Sequence, residues 1–400
     1  MERPTPGLSL PAPPVRPGLE VLLSDSLHLV RGRRVGLVTN QAGVDREGLS
    51  DVDRLRRAGV RLVALFSPEH GFRGIADPGA PVATTTDSAT GLPIYSLYGR
   101  TSAPTDAMLD GIEVLLVDLQ DAGARFYTYL WTTTEVMRAA AGKGIPVVVL
   151  DRPNPIGGAV QGNVLDTAFR SPVGLMAIPM RHGMTLAELA RLANDDLGLK
   201  APLSVVPAAG WRRTMYFEET GLPFVPPSPN LRSIEALIHY PGVCLFEGTT
   251  LSVGRGTDHP FEQIGAPWLD TTRVLALLQG AGLAGVAFHG VSFTPRRPGD
   301  GKYADTLVTG IRLRVTDRGR YDPTITAMAL LEAVATSARA SGRPIFPPSR
   351  VHFERLLASA RLDSADPYTS GNWLGLTRSW ASEDSAFRIR RRPYLLYPEN

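Results

Sequence analysis

Four short apolar runs, each closing on polar residues, set the fold of the first half of this 400-residue chain. They are Arg34–Asn40 (RVGLVTN), Arg61–Ser67 (RLVALFS), Glu113–Asp118 (EVLLVD) and Pro146–Asp151 (PVVVLD). Runs this short and uniformly apolar suit strands buried on both faces of a parallel sheet. Helical spacing follows at Leu49–Ala58 with Ser50 as N-cap, and at Thr132–Ala141 ahead of Gly142 and Gly144. It returns at Thr185–Leu197, where Glu188 three residues after Thr185 makes a capping box. Leu203–Val206 supplies a fifth strand. Such alternation predicts an α/β fold, a Rossmann-like, mostly parallel sheet flanked by helices. Ligands of open parallel sheets bind beyond the carboxyl ends of the strands. Here those ends carry Asn40-Gln41, Ser67-Pro68-Glu69-His70, Asp118 with Gln120-Asp121, and Asp151-Arg152-Pro153-Asn154, so a polar pocket is expected along that edge.

The texture changes further on. Residues 210–275 are irregular, and shorter β-like runs follow at Val286–Phe293 and Leu307–Val315. Helices are expected at Thr324–Ala340 and His352–Ala360, and an edge strand at Arg388–Tyr397, where charged and apolar residues alternate. The reading is a flexible tail over 1–17, a Rossmann-like catalytic domain over 18–240 and a smaller α+β domain over 241–400 that closes a cleft, with the boundary between 200 and 285.

Composition excludes several classes. Net charge is only +3, and of 42 basic residues only Lys143, Lys200 and Lys302 are lysines, with no basic stripe suited to nucleic acid. One cysteine, Cys244, excludes a disulfide scaffold and a cysteine-based zinc site, and no metal-ligand spacing stands out. No run of about 18 apolar residues suggests a membrane span. The N-terminus lacks the basic and apolar regions of a secretory signal, so the expected compartment is cytoplasmic, or outside the cell if the true start lies elsewhere. The G-x-G-x-x-G, Walker A, G-x-S-x-G and H-E-x-x-H motifs are all missing, so no cofactor is expected.

The octet Ser67-Pro-Glu-His-Gly-Phe-Arg-Gly74 is the strongest local feature. A carboxylic acid in a closing, partly dry cleft can hold a proton and donate it, and His70 beside Glu69 could tune or relay that proton. Equally, Glu69 could cap a helix with His70 at the surface. The octet recurs in order with VGLVTNQAGV (35–44), PIYSLYG (93–99), VDLQDAGARFYTY (117–129), VLDRPNPIGG (149–158), PMRHGMTLAELA (179–190), PPSPNL (226–231), YPGVCLFEGTTLSVGRGTDHPFEQIGAPW (240–268) and YPEN (397–400). In these nine segments the chain resembles the exo-β-N-acetylmuramidases, once known only as a domain of unknown function, from about Gly18 to Asn400.

That resemblance implies release of N-acetylmuramic acid from the non-reducing end of peptidoglycan fragments, in cell-wall turnover, with the site between a Rossmann-like and a smaller domain. Its substrate would be a small muramic-acid-terminated glycan; it offers no oligomeric state. A glycosidase normally sets two carboxylates about 5–10 Å apart across the scissile bond. Glu69 is the first choice, as the proton donor, with His70 beside it. For the second group Glu247, Asp118, Asp121, Asp151 and Asp258 stay open, as does assistance by the substrate's own acetamido group. The lactyl carboxylate of muramic acid suits a guanidinium, and Arg73, Arg125, Arg181 and Arg255 lie inside matching segments. Asn40, Gln41, Asp151, Asn154, Asn230, Asp258, His182 and His259 are candidate partners for sugar hydroxyls, while Tyr127 could stack on a sugar face or simply pack. Competing readings are a muropeptide-binding or sensing protein and a nucleotide-sugar or phosphosugar transferase.

Overall fold

The computed structural model describes residues 15–340, 342–362 and 367–399. The strands of its first half are β1 (Arg34–Thr39), β2 (Arg61–Ser67), β3 (Thr85–Thr86), β4 (Pro93–Ser96), β5 (Val114–Asp118), β6 (Val147–Leu150), β7 (Gln161–Val164), β8 (Pro179–Arg181) and β9 (Leu203–Val206). β7 and β8 form a separate antiparallel pair; the other seven make one sheet in the order β3-β4-β2-β1-β5-β6-β9. Every neighbouring pair in that sheet is parallel except β3 with β4.

Strand residues alternate between two cores, as the period of two requires. Val35, Leu37, Val114, Leu116, Val148 and Leu150 pack with α1 (Gly18–Asp25) and α2 (Asp51–Arg57). Val38, Phe66, Leu115, Val117, Val147 and Val149 pack with α3 (Tyr129–Gly142) and α4 (Leu186–Asp196). Ser50 caps α2 by accepting from the Asp53 amide, and Thr185 and Glu188 form the expected capping box on α4. The chain leaves β1 for β2 and β4 on one side and returns to β5 on the other. The order therefore reverses at the carboxyl ends of β1 and β5, the crevice where such sheets bind ligands.

The later part is a smaller α+β region. Its antiparallel sheet has the order β10 (Gln263–Ala266), β12 (Val308–Val315), β11 (Val286–Phe293), accompanied by α5 (Ile234–Val243), α6 (Thr271–Gln279), α7 (Pro323–Ala340) and α8 (Val351–Leu357). A division at residue 240 falls inside α5, which packs on α7. Leu237, Ile311, Leu330 and Phe353 belong to the same apolar core as α3 and α4, so the two parts share one interior.

Two sequence expectations are corrected. Arg388–Tyr397 is not an edge strand: Trp380–Arg391 is a helix, followed by a 3-10 turn at Arg392–Tyr394. The buried residues Trp380, Asp384, Phe387 and Arg391 recur at helical spacing, while Ile389, which the alternation assigned to a strand face, is exposed. The end of the stretch expected as a tail, 15–17, is built into the fold. Residues 1–14 lie outside the described residues, but Val15 is buried, its amide donates to the Thr220 carbonyl, and Arg16 bridges Ala209. Helix α1 follows at once, and only glycine fits its first position, since a Cβ on Gly18 would lie 2.4 Å from the Asp151 amide nitrogen.

Candidate active site

The loop leaving β2 turns abruptly at His70, whose φ of 70° is left-handed. A non-glycine residue in that region is held there by its surroundings, and such strain clusters at functional sites. The turn places Glu69, 9% exposed, on the wall of a cavity of about 440 Å³. Both carboxylate oxygens of Glu69 have neutral donors. Oε1 accepts from the Gly79 amide at 2.9 Å and Oε2 from the Thr128 hydroxyl at 2.6 Å. Thr128 stands just before α3 and its side chain makes no cap there, which leaves the hydroxyl for Glu69. Tyr98 lies on the same wall, and burial followed by the Glu69 carboxylate pushes its hydroxyl well above the ordinary value. His70 Nδ1 lies 2.8 Å from the Ala76 carbonyl, so that nitrogen is the protonated one and Nε2 is left as the acceptor. Burial lowers His70 against the opposing pull of Glu69, so the ring is neutral at neutral pH.

Glu247 and Arg255 line the same cavity. Glu247 Oε1 accepts from Arg255 Nε at 2.9 Å and from Nη2, and Oε2 takes a weak bond from Cys244 Sγ at 3.4 Å. Burial alone would raise Glu247, but the guanidinium outweighs it and holds the carboxyl below the usual range. Lys302 lines the cavity as well. Its ammonium donates to the carbonyls of Phe246, Glu247 and Leu251 at 3.3, 3.0 and 3.0 Å, which fixes the turn carrying Glu247. The cavity thus holds two carboxylates in different company, one among neutral donors and one against a cation.

Of the residues singled out in the sequence, Glu69, His70, Tyr127, Glu247 and Arg255 meet at this cavity. The others lie outside its lining. Asp118 is buried in a bidentate pair with Arg152, with bonds of 2.5 and 2.9 Å. Arg125, 3% exposed, donates to the carbonyls of Asn163, Ile178, Leu356 and Leu357, and burial without a carboxylate partner lowers it to about 9. Arg181 donates to Gln161 Oε1 and the Ile156 carbonyl, while Arg73 is exposed. Asn40 bonds the Tyr129 hydroxyl at 2.6 Å, Gln41 bonds the Pro226 carbonyl at 2.8 Å, and Asn154 bonds the Met184 carbonyl at 2.9 Å. His182 pairs with Asp121 at 3.4 Å and His259 with Glu262 at 2.8 Å. Asp258 is exposed, and Asn230, beside the lining residue Ser228, is buried. Asp151 accepts from the Ala187 amide at 3.0 Å and from the Tyr397 hydroxyl at 2.6 Å.

Sequence reasoning passed over Tyr98, Thr128, Asp300, Lys302 and His352, all on the cavity wall. Tyr98 and Thr128 lie inside quoted segments, where a side chain able to reach Glu69 was the available signal. Lys302 is one of three lysines, but nothing in its neighbourhood links it to residue 247. Among the described residues, no three of His, Cys, Asp and Glu converge as metal ligands, and no helix is long and apolar enough to cross a membrane.

Comparisons with known proteins agree over nearly the whole chain. Family models described as the N-terminal and C-terminal parts of exo-beta-N-acetylmuramidase NamZ match residues 35–235 and 238–397. The peptidoglycan beta-N-acetylmuramidase NamZ of Bacillus subtilis (strain 168) is 45% identical over 324 residues, which cover 80% of this chain and 78% of that protein. Two crystal structures of DUF1343 family proteins from Bacteroides fragilis superpose with TM-scores of 0.87 and 0.77. Each is 32% identical, with 96% of this chain and 99% of the other covered.

Proposed function

The chain belongs to the NamZ family of exo-β-N-acetylmuramidases, and from that premise we propose how its cavity performs the reaction. The protein is a glycosidase that releases N-acetylmuramic acid from the non-reducing end of peptidoglycan fragments. Glu69 is the proton donor to the leaving glycosidic oxygen. Glu247 is the ionised carboxylate on the other side of the sugar, stabilising the positive charge that develops at the anomeric carbon.

The observation that carries this reading is the contrast between the two carboxylates. Arg255 keeps Glu247 ionised, whereas the groups around Glu69 are uncharged: the Gly79 amide, the Thr128 and Tyr98 hydroxyls and the neutral His70 ring. A hydroxyl is both donor and acceptor, so it places no fixed charge beside Glu69. Pairs of acids whose surroundings differ in this way divide the acid and charge-stabilising roles between them. Neutral His70 beside Glu69 leaves the donor free of a competing cation. The 440 Å³ cavity is of the size that holds a small ligand.

The test is release of muramic acid from 4-nitrophenyl β-N-acetylmuramide by the unmodified protein and by Glu69→Gln. Loss of a general acid lowers kcat by about 10²–10⁴-fold. Because nitrophenolate leaves with little protonation, a natural disaccharide should suffer more than the aryl glycoside. Unaltered rates on both substrates would remove Glu69 from the chemistry. An unmodified protein that binds the muramide and never cleaves it would be a binding protein.

A further inference from the structure

Arg255 is 6% exposed, yet it lines the cavity that holds Glu69. The bonds from its Nε and Nη2 to Glu247 occupy one edge of the guanidinium. The remaining edge runs through Nη1, a buried nitrogen with no hydrogen-bond partner. The plane is steadied from the side by Phe261, whose ring centroid lies 5.1 Å from Cζ. A buried guanidinium nitrogen with nothing to donate to is costly, and the geometry that removes the cost is a planar anion meeting two parallel N–H bonds. Glu247 pairs with the cation, while Lys302 and Asp300 on the same wall offset each other, so what favours an anion here is the unfilled donor rather than a surplus of positive charge.

We infer that the free edge of Arg255 receives the lactyl carboxylate of the terminal muramic acid, which makes Arg255 the residue that selects muramic acid over N-acetylglucosamine. This rests on the muramidase reading above. The two sugars differ only in the 3-O-lactyl group, so discrimination has to act on that ether and its carboxylate. Arg255 also joins selection to chemistry, because the same guanidinium that meets the lactyl group holds Glu247.

The experiment measures kcat and KM for the 4-nitrophenyl β-glycosides of N-acetylmuramic acid and N-acetylglucosamine, with the unmodified protein and with Arg255→Lys. A lysine keeps the charge and loses the fork. The unmodified protein should prefer the muramide by on the order of 10²-fold in kcat/KM, as expected for a bidentate charged contact. In the variant kcat should fall on both substrates as Glu247 loses its fork, and the ratio should collapse toward unity because the muramide alone also loses in KM. An equal fall on both substrates would overturn the inference and leave Arg255 only as the support of Glu247. Should the variant not fold, the unmodified protein decides with an analogue whose lactyl carboxylate is a carboxamide. A rate near that of the glucosaminide supports the contact, and a rate equal to the muramide overturns it. No muramic acid release by the unmodified protein would instead defeat the muramidase reading itself.

Discussion

Tyr397→Phe removes one oxygen from the far end of the chain and tests how that end is fastened to the central sheet. The Tyr397 hydroxyl donates to Asp151 Oδ2 at 2.6 Å and accepts from the Ala208 amide at 2.8 Å. Phenylalanine fills the same volume but leaves a buried amide and a buried carboxylate oxygen each short of a partner. At about 1–3 kcal/mol per unsatisfied group, the expected loss is about 2–6 kcal/mol. The loss should also depend on pH. Burial pushes Asp151 up to about 7, and the bond from Tyr397 works against that rise. The folded state therefore holds a proton on Asp151 that the unfolded chain releases near the ordinary aspartate value. The contribution to stability is full below that value and fades as pH rises toward 7. Without the tyrosine the folded-state value climbs further, so the fading extends to higher pH. The destabilisation should then be about 1 kcal/mol larger at pH 8 than at pH 5. Urea unfolding at several pH values reads this directly, and Trp211, in edge contact with Tyr397 at 4.8 Å, supplies a local fluorescence signal. A destabilisation that is flat from pH 5 to pH 8 would refute the titration of Asp151 in this window. One below about 0.5 kcal/mol would refute the clamp.

Two further substitutions probe the sheet. Asp118→Asn leaves the buried Arg152 without its bidentate partner and should cost about 3–5 kcal/mol in chemical denaturation, while the folded protein keeps kcat within a few-fold; unchanged stability with kcat lowered by orders of magnitude would return Asp118 to the chemistry. Gly18→Ala drives a Cβ against the backbone of Asp151 and Val206, where nothing flexible can yield, and should lower stability by about 1–3 kcal/mol or more; a melting temperature equal to that of the unmodified protein would contradict the close approach.

The sheet was legible because burial on both faces writes itself into composition: β2 occupies the residues its apolar run marks, and Thr185 with Glu188 announces the start of α4. The C-terminal helix was not legible because its exposed face carries an apolar Ile389 between arginines, which imitates a strand over a short window. The candidate site divides along the same line. A strand end, a Gly-rich loop and a Glu-His pair coincide within eight residues around Glu69, which leaves catalysis and helix capping equally open until the family resemblance favours the first. Lys302 reaches the cavity from a loop and His352 from the start of α8, both remote in sequence, and no spacing records that meeting. Arg125 and Arg181 lie in segments the family shares, yet both spend their donors on backbone and amide oxygens within the fold. A shared motif marks what must stay, whether for scaffold or for substrate.

The Arg125 guanidinium has a mechanical consequence. It ties the segment before α3 to the carbonyls of Leu356 and Leu357, and Asn163 Nδ2 reinforces the same junction with a 2.7 Å bond to Leu357. Opening the molecule like a clam shell would tear a buried cation from its acceptors and split an apolar interior that both parts share. At the cavity rim the loops carrying Gly79 and Gly299 meet, since a Cβ on Gly299 would lie 3.1 Å from Asp77 and 3.5 Å from Pro78. The two parts are riveted into one body, so the walls of the cavity keep a fixed spacing.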